Sequence, residues 1–552
     1  MLVRVSLSAH VIQLFLGAMK FGILRSAPMS SYSAKFAQNG LLLTALFLTA
    51  CGGGGVGSET APVSTTALTP APVITSMGTD FYLTLPDHLC VSNPALCKNT
   101  PVTNKLIVAS SAATTGEVTF NGVITPFSVA AGSQTVITLD PAVVLTTNEV
   151  IEAKGVRVTA LSPVSVHVVS ENTSSADGYL ALPVAGLGTR YYVMSYASTK
   201  YPGSEFAVVA TQNNTTVSIT PAAAGATKLA GVAFTVMLNS GETYQLANTA
   251  NADMTGTLVV ADKPVAVFSG HRCTDIPSAT GYSDYIVEQL TDVSIWGKTH
   301  HTSLFKGRAR YTVRVMASQD GTTFATIPAN LIGTLNAGQF VDVDLAGDGE
   351  FVSSSPVLVA QFMRGYADDA TAKGDPSMVI VTPVEQGMTD STFGVHGLAG
   401  STGAFMNVVT ETAALATLTL DNAVVNSALF TPIGGTSIYS VGTIPVTAGA
   451  HTLFGSMPYS AHVYDYGIAS NAVSYAYPVA AKLSLPVTTN PVTTTCVNDD
   501  NETEGEHSHT NSHHHGHHYG HDHANAYGYD RDHDHDHDHD DDHHHDDDCH
   551  DE

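Results

Sequence analysis

The sequence predicts an all-β protein made of tandem β-sandwich-like modules, and three observations carry that expectation. From Gly78 to about residue 485 the chain runs in short stretches of Val, Thr, Tyr and Phe that alternate with polar residues, the period of strands and not of helices. Gly, Pro, Asn-Asn and Asp-Gly punctuate these stretches, which is turn chemistry. A closing phrase returns with Pro163, Pro264, Pro356 and Pro458, spaced by roughly 100 residues, the mark of repeated units. Units of that size suit small sandwiches; a β-propeller with two blades per unit is the alternative.

The bulk numbers agree with a folded body. A chain of 552 residues exceeds one ordinary core and suffices for several modules. Hydrophobic residues make up 43% and charged residues 13%, so disorder does not dominate. The formal net charge is −27, and roughly two-thirds of it falls after Val497. The body is therefore only mildly acidic, with no basic footprint for nucleic acid or for anionic lipid.

Residues 1–50 read as a leader. The apolar run "LLLTALFLTAC" is too short to span a bilayer, and its last residues, Leu48, Thr49, Ala50 and Cys51, resemble the lipobox of bacterial lipoproteins. That resemblance implies acylation of Cys51, and Gly52 in place of Asp implies sorting to an outer membrane or cell surface. An ordinary secretory signal with a coincidental Cys is the plainer reading, and Met19 and Met29 are alternative starts. Residues 51–77, Gly-rich and then rich in Ser, Thr and Pro, read as a tether from the lipid.

Residues 78–485 form the β region, with about four internal repeats. "FAVVATQNNTTVSIT" matches "YTVRVMASQDGTTFATI", each read as strand, tight turn and strand, with Asn213-Asn214 and Asp320-Gly321 supplying positive φ. A second phrase follows, as in "TVMLNSGETYQL" and "IGTLNAGQFVDVDL". The third carries the prolines, each expected to start a strand, and the apolar run after it suits a strand buried on both faces. Cys90 and Cys97 are close enough to clip a short loop in an oxidising compartment, and no CxxC pair marks a zinc ribbon.

Several of these phrases together carry a resemblance. In order they are "GTDFYLTLP", "DGYLALPV", "GTRYYVMSY", "SEFAVVATQNNTTVSITP", "DKPVAVFSGHRC", "VEQL", "SIWGK", "VRVMASQDGTT" and "TPVEQ". The β region resembles the N-terminal domain of the IgG Fc-binding protein family, which also occurs in bacterial surface proteins. The resemblance implies a binding protein. The family phrase often has a second Cys about ten residues after the position of Cys273; here Ser283 stands there, which leaves Cys273 as a buried free thiol or as a partner of Cys496.

Motifs for catalysis are missing. The sequence has no G-x-S-x-G elbow, H-E-x-x-H, Walker loop or strand-borne G-x-G-x-x-G, so no catalytic residue is assigned and no enzyme is expected. His167 and His462, inside closing strands, read as satisfied core histidines. His271 and Arg272, where a loop leaves a buried strand, and Trp296, the only tryptophan, are the ligand-loop candidates. Burial at a module interface is the competing reading for Trp296.

Residues 486–505 read as a Pro/Thr-rich and acidic linker, and 506–552 as a disordered His/Asp-rich tail. The candidate metal ligands are His513, His514, His515, His517, His518, His521, His523, His533, His535, His537, His539, His543, His544, His545 and His550. In "HDHDHDHD" an extended chain puts every imidazole on one side and every carboxylate on the other. Exchangeable, poorly selective Zn, Ni or Cu binding is expected there, and no cofactor is required. The plainer reading is an acidic solvating brush. Two functions follow: a surface lipoprotein whose modules bind a host or matrix protein or glycan, or a divalent-metal scavenging or buffering lipoprotein with the modules as scaffold.

Overall fold

The computed structural model describes residues 73–484, apart from 328–330, 369, 370, 372, 402, 436 and 468–472. The expected leader, Cys51, most of the tether, the linker and the whole tail lie outside the described residues. The described chain is all β, and α-helix within it is confined to Leu89–Ser92.

Four sandwich-like modules follow one another. In the first, the long strand Val156–Glu171 pairs through its first half with Gly78–Leu83 and Thr114–Phe120, and through its second half with Thr103–Ser110 and Ala176–Leu180. One strand thus serves both layers. Gly349–Met363 does the same in the third module and Gly449–Tyr466 in the fourth. In the second module the chain breaks at residues 262–264, between Leu258–Ala261 and Val265–Thr274, and the layers become separate four- and five-stranded sheets.

Of the recurring prolines, Pro264 alone precedes a strand. Pro163, Pro356 and Pro458 lie inside the long strands, where the pairing partners change. The ladder with Thr114–Phe120 ends at Ala160 and the one with Thr103–Ser110 begins at Ser165. The gap recurs between Ser353 and Val357 and between Phe454 and Tyr459. A residue without an N–H costs least where the ladder is interrupted.

The expected hairpins are also corrected. Ser204–Ala210 and Thr215–Thr220, on either side of Asn213-Asn214, belong to different sheets, and Tyr311–Ala317 does not pair with Thr322–Ile327. A two-residue type I′ hairpin turn wants positive φ at both central residues, but here only Asn214 (φ 54°) and Gly321 (φ 68°) have it. The turn instead carries the chain across the sandwich, and the second recurring phrase fastens it. Asn213 Oδ1 accepts from Ser240 N (3.0 Å) and Asn239 Oδ1 from Asn214 N (3.2 Å). In the third module Asp320 Oδ1 accepts from Ala337 N (3.0 Å) and Asn336 Oδ1 from Gly321 N (3.1 Å). The repeated turn and the repeated Leu-Asn are two halves of one polar clasp.

Neighbouring modules share their cores. Val265 and Val267 face the core of the second module while Ala266 and Phe268, on the other side of the same strand, face that of the first. In the third module Val357 and Val359 face their own core, and Leu358 and Ala360 face that of the second. Tyr464 and Tyr466 of the fourth module enter the third core, and Ile107 and Val169 of the first enter the fourth. Burial on both faces is why the runs after the prolines are continuously apolar, each full burial contributing about 1.5 kcal/mol or more.

The last strand of each module lies where the modules meet. Ala176–Leu180, Asp284–Gln289, Ser377–Ile380 and Ser474–Pro478 touch in succession, and the fourth touches the first. Asp177 joins all four: its Oδ2 accepts from Val287 N and Met378 N (both 3.1 Å) and its Oδ1 from Ala476 N (3.2 Å). The described start also meets the described end, with Ser76 N donating to Ala481 O and Leu483 N to Ile74 O, both at 2.8 Å. Ile74 and Ser76, expected at the end of the tether, are therefore part of the fold, because Ile74 packs on Leu180, Leu182, Ile295 and Leu483.

Candidate binding cleft

Arg272 opens onto a cleft of about 330 Å3, where the first and second modules meet. Its first wall is the loop that follows Asp87. The His88 imidazole accepts from Cys90 N (3.1 Å) and starts the helix Leu89–Ser92, and the 3-10 turn Pro94–Cys97 follows. Cys90 and Cys97 form a disulfide with their Cα atoms 5.3 Å apart. The His88 ring stacks on Tyr285 at 4.5 Å, which seats this loop on the second module. Replacing both cysteines with serine is expected to cost about 2.5 kcal/mol, the loop-closure value for so short a ring. Urea unfolding with and without the pair checks it, and an unchanged midpoint would remove the disulfide from the wall's stability.

The second wall is the end of the strand Val265–Thr274. His271, 1% exposed, turns its Nδ1 inward to accept from Cys273 N (2.9 Å), and burial pushes its imidazole down to about 3. It braces the point where the register with Asp284–Gln289 shifts, between His271 and Thr274, and does not line the cleft, contrary to its expected place on a ligand loop. Arg272 does reach it. Its Nε donates to Pro202 O (2.6 Å), its backbone N donates to Gly203 O (3.0 Å), and its Nη1 lies 3.5 Å from Asp87 Oδ2. Gly203, at φ +133°, permits this: a Cβ there would stand 2.5 Å from Arg272 Cγ. Behind Arg272, Glu205 is fully buried, and neither of its carboxyl oxygens has a hydrogen-bond partner among the described residues. Burial, then the nearby Asp87, raises its carboxyl well above the usual range, so it is held neutral.

The third wall is Gly281, Tyr282 and Ser283, at the end of the turn that Asp275 braces. Asp275 Oδ1 accepts from Ser198 Oγ (3.0 Å), and the same carboxylate accepts from Ala279 N. Ala279 (φ 72°) and Tyr282 (φ 57°) sit in the left-handed region, which costs a bulky residue energy that the surrounding contacts must offset. Tyr282 is 55% exposed and its ring lies 4.8 Å from that of Tyr366. Lys200 lies at the mouth, its ammonium 4.8 Å from the centre of the Tyr201 ring. Cys273 and Ser283 line the same cleft; burial pushes the Cys273 thiol well up, which disfavours its thiolate.

The remaining candidates fall elsewhere. Trp296 is 4% exposed in the core shared by the second and third modules, its indole N–H donating to Thr291 O (3.2 Å), so it is no exposed anchor. His167 and His462 are buried, with His167 Nε2 at 3.3 Å from Pro478 O. Among the described residues no cluster of His, Cys, Asp and Glu is arranged to hold a metal ion, and the tail histidines lie outside them. Sequence reasoning missed Lys200, Tyr201 and Tyr282. The tyrosines' Gly- and Ser-rich settings were the available signal, but only folding brings them beside Arg272.

Residues 177–464 match the family described as IgGFc binding protein. A human protein named IgGFc-binding protein is 27% identical over 274 residues, which is 48% of this chain and 5% of that much longer relative. The match begins at Asp177, so the strands of the first module before it lie outside the matched residues. Two solved structures show a weak likeness: a bacterial ice-binding adhesin (TM-score 0.11, 10% identity, 57% of this chain and 98% of that one) and the lipid-containing bacteriophage PM2 (TM-score 0.08, 10% identity, 49% and 84%). At such scores neither bears on fold or function.

Proposed function

This chain belongs to the IgGFc-binding protein family, and from that membership we propose that its β body binds a protein ligand at the cleft beside Arg272. The observation that carries the reading is an open cleft holding a backbone-braced Arg, the exposed Tyr282 and the half-buried Tyr201, side-chain types enriched at binding hot spots. Rigid sandwiches hold the three loops that build it, the common arrangement for recognition. The ligand is a host or matrix protein in this reading, and the human relative's name makes the Fc part of immunoglobulin G the first protein to try.

In the same proposal Cys51 is acylated and holds the protein to an outer membrane or cell surface, and the His/Asp-rich tail carries exchangeable Zn, Ni or Cu as an accessory element. The metal-scavenging alternative rests on that tail alone. One experiment separates the two. Full-length protein is applied to immobilised IgG Fc, a protein array and a glycan array, each with and without zinc. Saturable retention on a protein, with or without zinc, is expected. Retention on glycans only, or on nothing in either condition, would sink the protein-binding reading.

A further inference from the structure

The cleft's chemistry indicates which part of a partner it takes. Resting on the protein-binding reading, we propose that it accepts the carboxylate side chain of an Asp or Glu displayed by the protein partner. Its lining contains two cations, Arg272 and Lys200, and no acidic residue. This stands out in a body whose carboxylates outnumber its cations, and a larger cleft on the first module carries Asp140 and Glu152 beside Lys154.

Arg272 is prepared for that role. With Nε held by Pro202 O and Nη1 toward Asp87, its Nη2 is bonded to no described residue, while its side chain is 28% exposed. A guanidinium fixed in advance loses little freedom when it meets a carboxylate, and such charge-assisted bonds are the strong ones. Asp87 offsets part of its charge from behind, and the neutral Glu205 adds none. Leu96, Tyr201 and Tyr282 form an apolar and aromatic rim that can shield the ion pair from water. The size of the cleft suits a side chain and its neighbours, not a folded domain.

The test is fluorescence polarisation of the full-length protein with dye-labelled, C-terminally amidated hexaglutamate, against amidated hexaglutamine and hexaglutamine with a free C-terminal carboxylate. Hexaglutamate is expected to bind at least tenfold more tightly than either control. Arg272→Gln and Lys200→Gln are each expected to weaken it at least fivefold, and Lys228→Gln, a surface lysine over Phe234 on another sheet, to leave it within twofold. Lys200→Gln keeps the test sound should Arg272→Gln disturb its loop. Equal binding of hexaglutamate and either control, no binding of hexaglutamate, or equal losses in all three variants would overturn the proposal. Should the arrays identify a protein whose affinity is unchanged in Arg272→Gln and Lys200→Gln, the carboxylate proposal fails while protein binding stands; should no protein be retained, it is the protein-binding reading that fails.

Discussion

Replacing Asp177 with alanine is expected to cost about 4 kcal/mol or more. Its carboxyl accepts backbone N–H groups from three other modules, at Val287, Met378 and Ala476, and it is fully buried. Each buried donor left without a partner costs about 1–3 kcal/mol. Asp177→Asn keeps the shape but turns one acceptor into a donor that faces other donors, so it also destabilises. Amide hydrogen exchange is the specific readout. Val287, Met378 and Ala476 should lose protection together in both variants, with a lower denaturant midpoint. Should protection at these three amides survive in Asp177→Ala, the carboxyl does not join the modules.

The second large effect concerns pH, and two sets of buried groups set its sign. Burial raises Asp177, Glu205, Glu288, Asp284 and Asp375 above the usual carboxyl range, helped by Asp87 near Glu205, by Asp177 near Glu288 and by Asp375 near Asp284. The folded state holds protons there that the unfolded chain releases near pH 4, so this stability is present below about pH 4 and is lost as pH rises through the raised values. Burial pushes His88, His271 and His300 down to about 3 and His167 and His462 to about 4. Their contribution is present above about pH 6.5 and is lost as pH falls through those values. Glu171 and Glu149, in which hydrogen bonds outweigh burial, act in the carboxylate's usual direction.

Between about pH 4.5 and 6.5 the two sets nearly cancel; above that range the carboxyls act alone. Stability should therefore be flat in mildly acidic buffer and fall as pH rises above it, with a slope of about 1.4 kcal/mol per unit for each proton the folded state still retains. Below about pH 4 the imidazoles act alone and stability falls with pH. Denaturant midpoints at pH 5.5 and 8.5 check this. A midpoint that rises between them would mean that the buried carboxyls are ionised in the folded protein.

Much of the architecture was legible because alternation and punctuation act locally. The Val/Thr/Tyr stretches had to be strands whatever they packed against, and the apolar run after Pro264 announced burial on two faces. Which faces was not legible: that Val265 serves one module and Ala266 the next depends on a neighbour far away in the chain. The Asn213-Asn214 turn misled for a related reason. Its composition permits a hairpin, and the choice of an arch is made by Asn239, one phrase later, which caps the crossing and whose own backbone N–H is held by Glu242. At the cleft, Arg272 was singled out by its place after a buried strand, but so was His271, and a single peptide step sends one ring inward and the other side chain out.

By itself the sequence determined that this is a β protein of repeated sandwich-like units in the family described as IgGFc binding protein, with Cys90 and Cys97 near enough to join. Those features are set by neighbours within a few residues or by a pattern of phrases, and both survive without coordinates. The tertiary structure alone decided that the modules share cores, that Asp177 ties four strands, and that Arg272, Lys200 and Tyr282 meet in one cleft. Such contacts join residues dozens to hundreds of positions apart, and the energy that selects them, burial of apolar surface on both faces of the same strands, exists only once every module is in place.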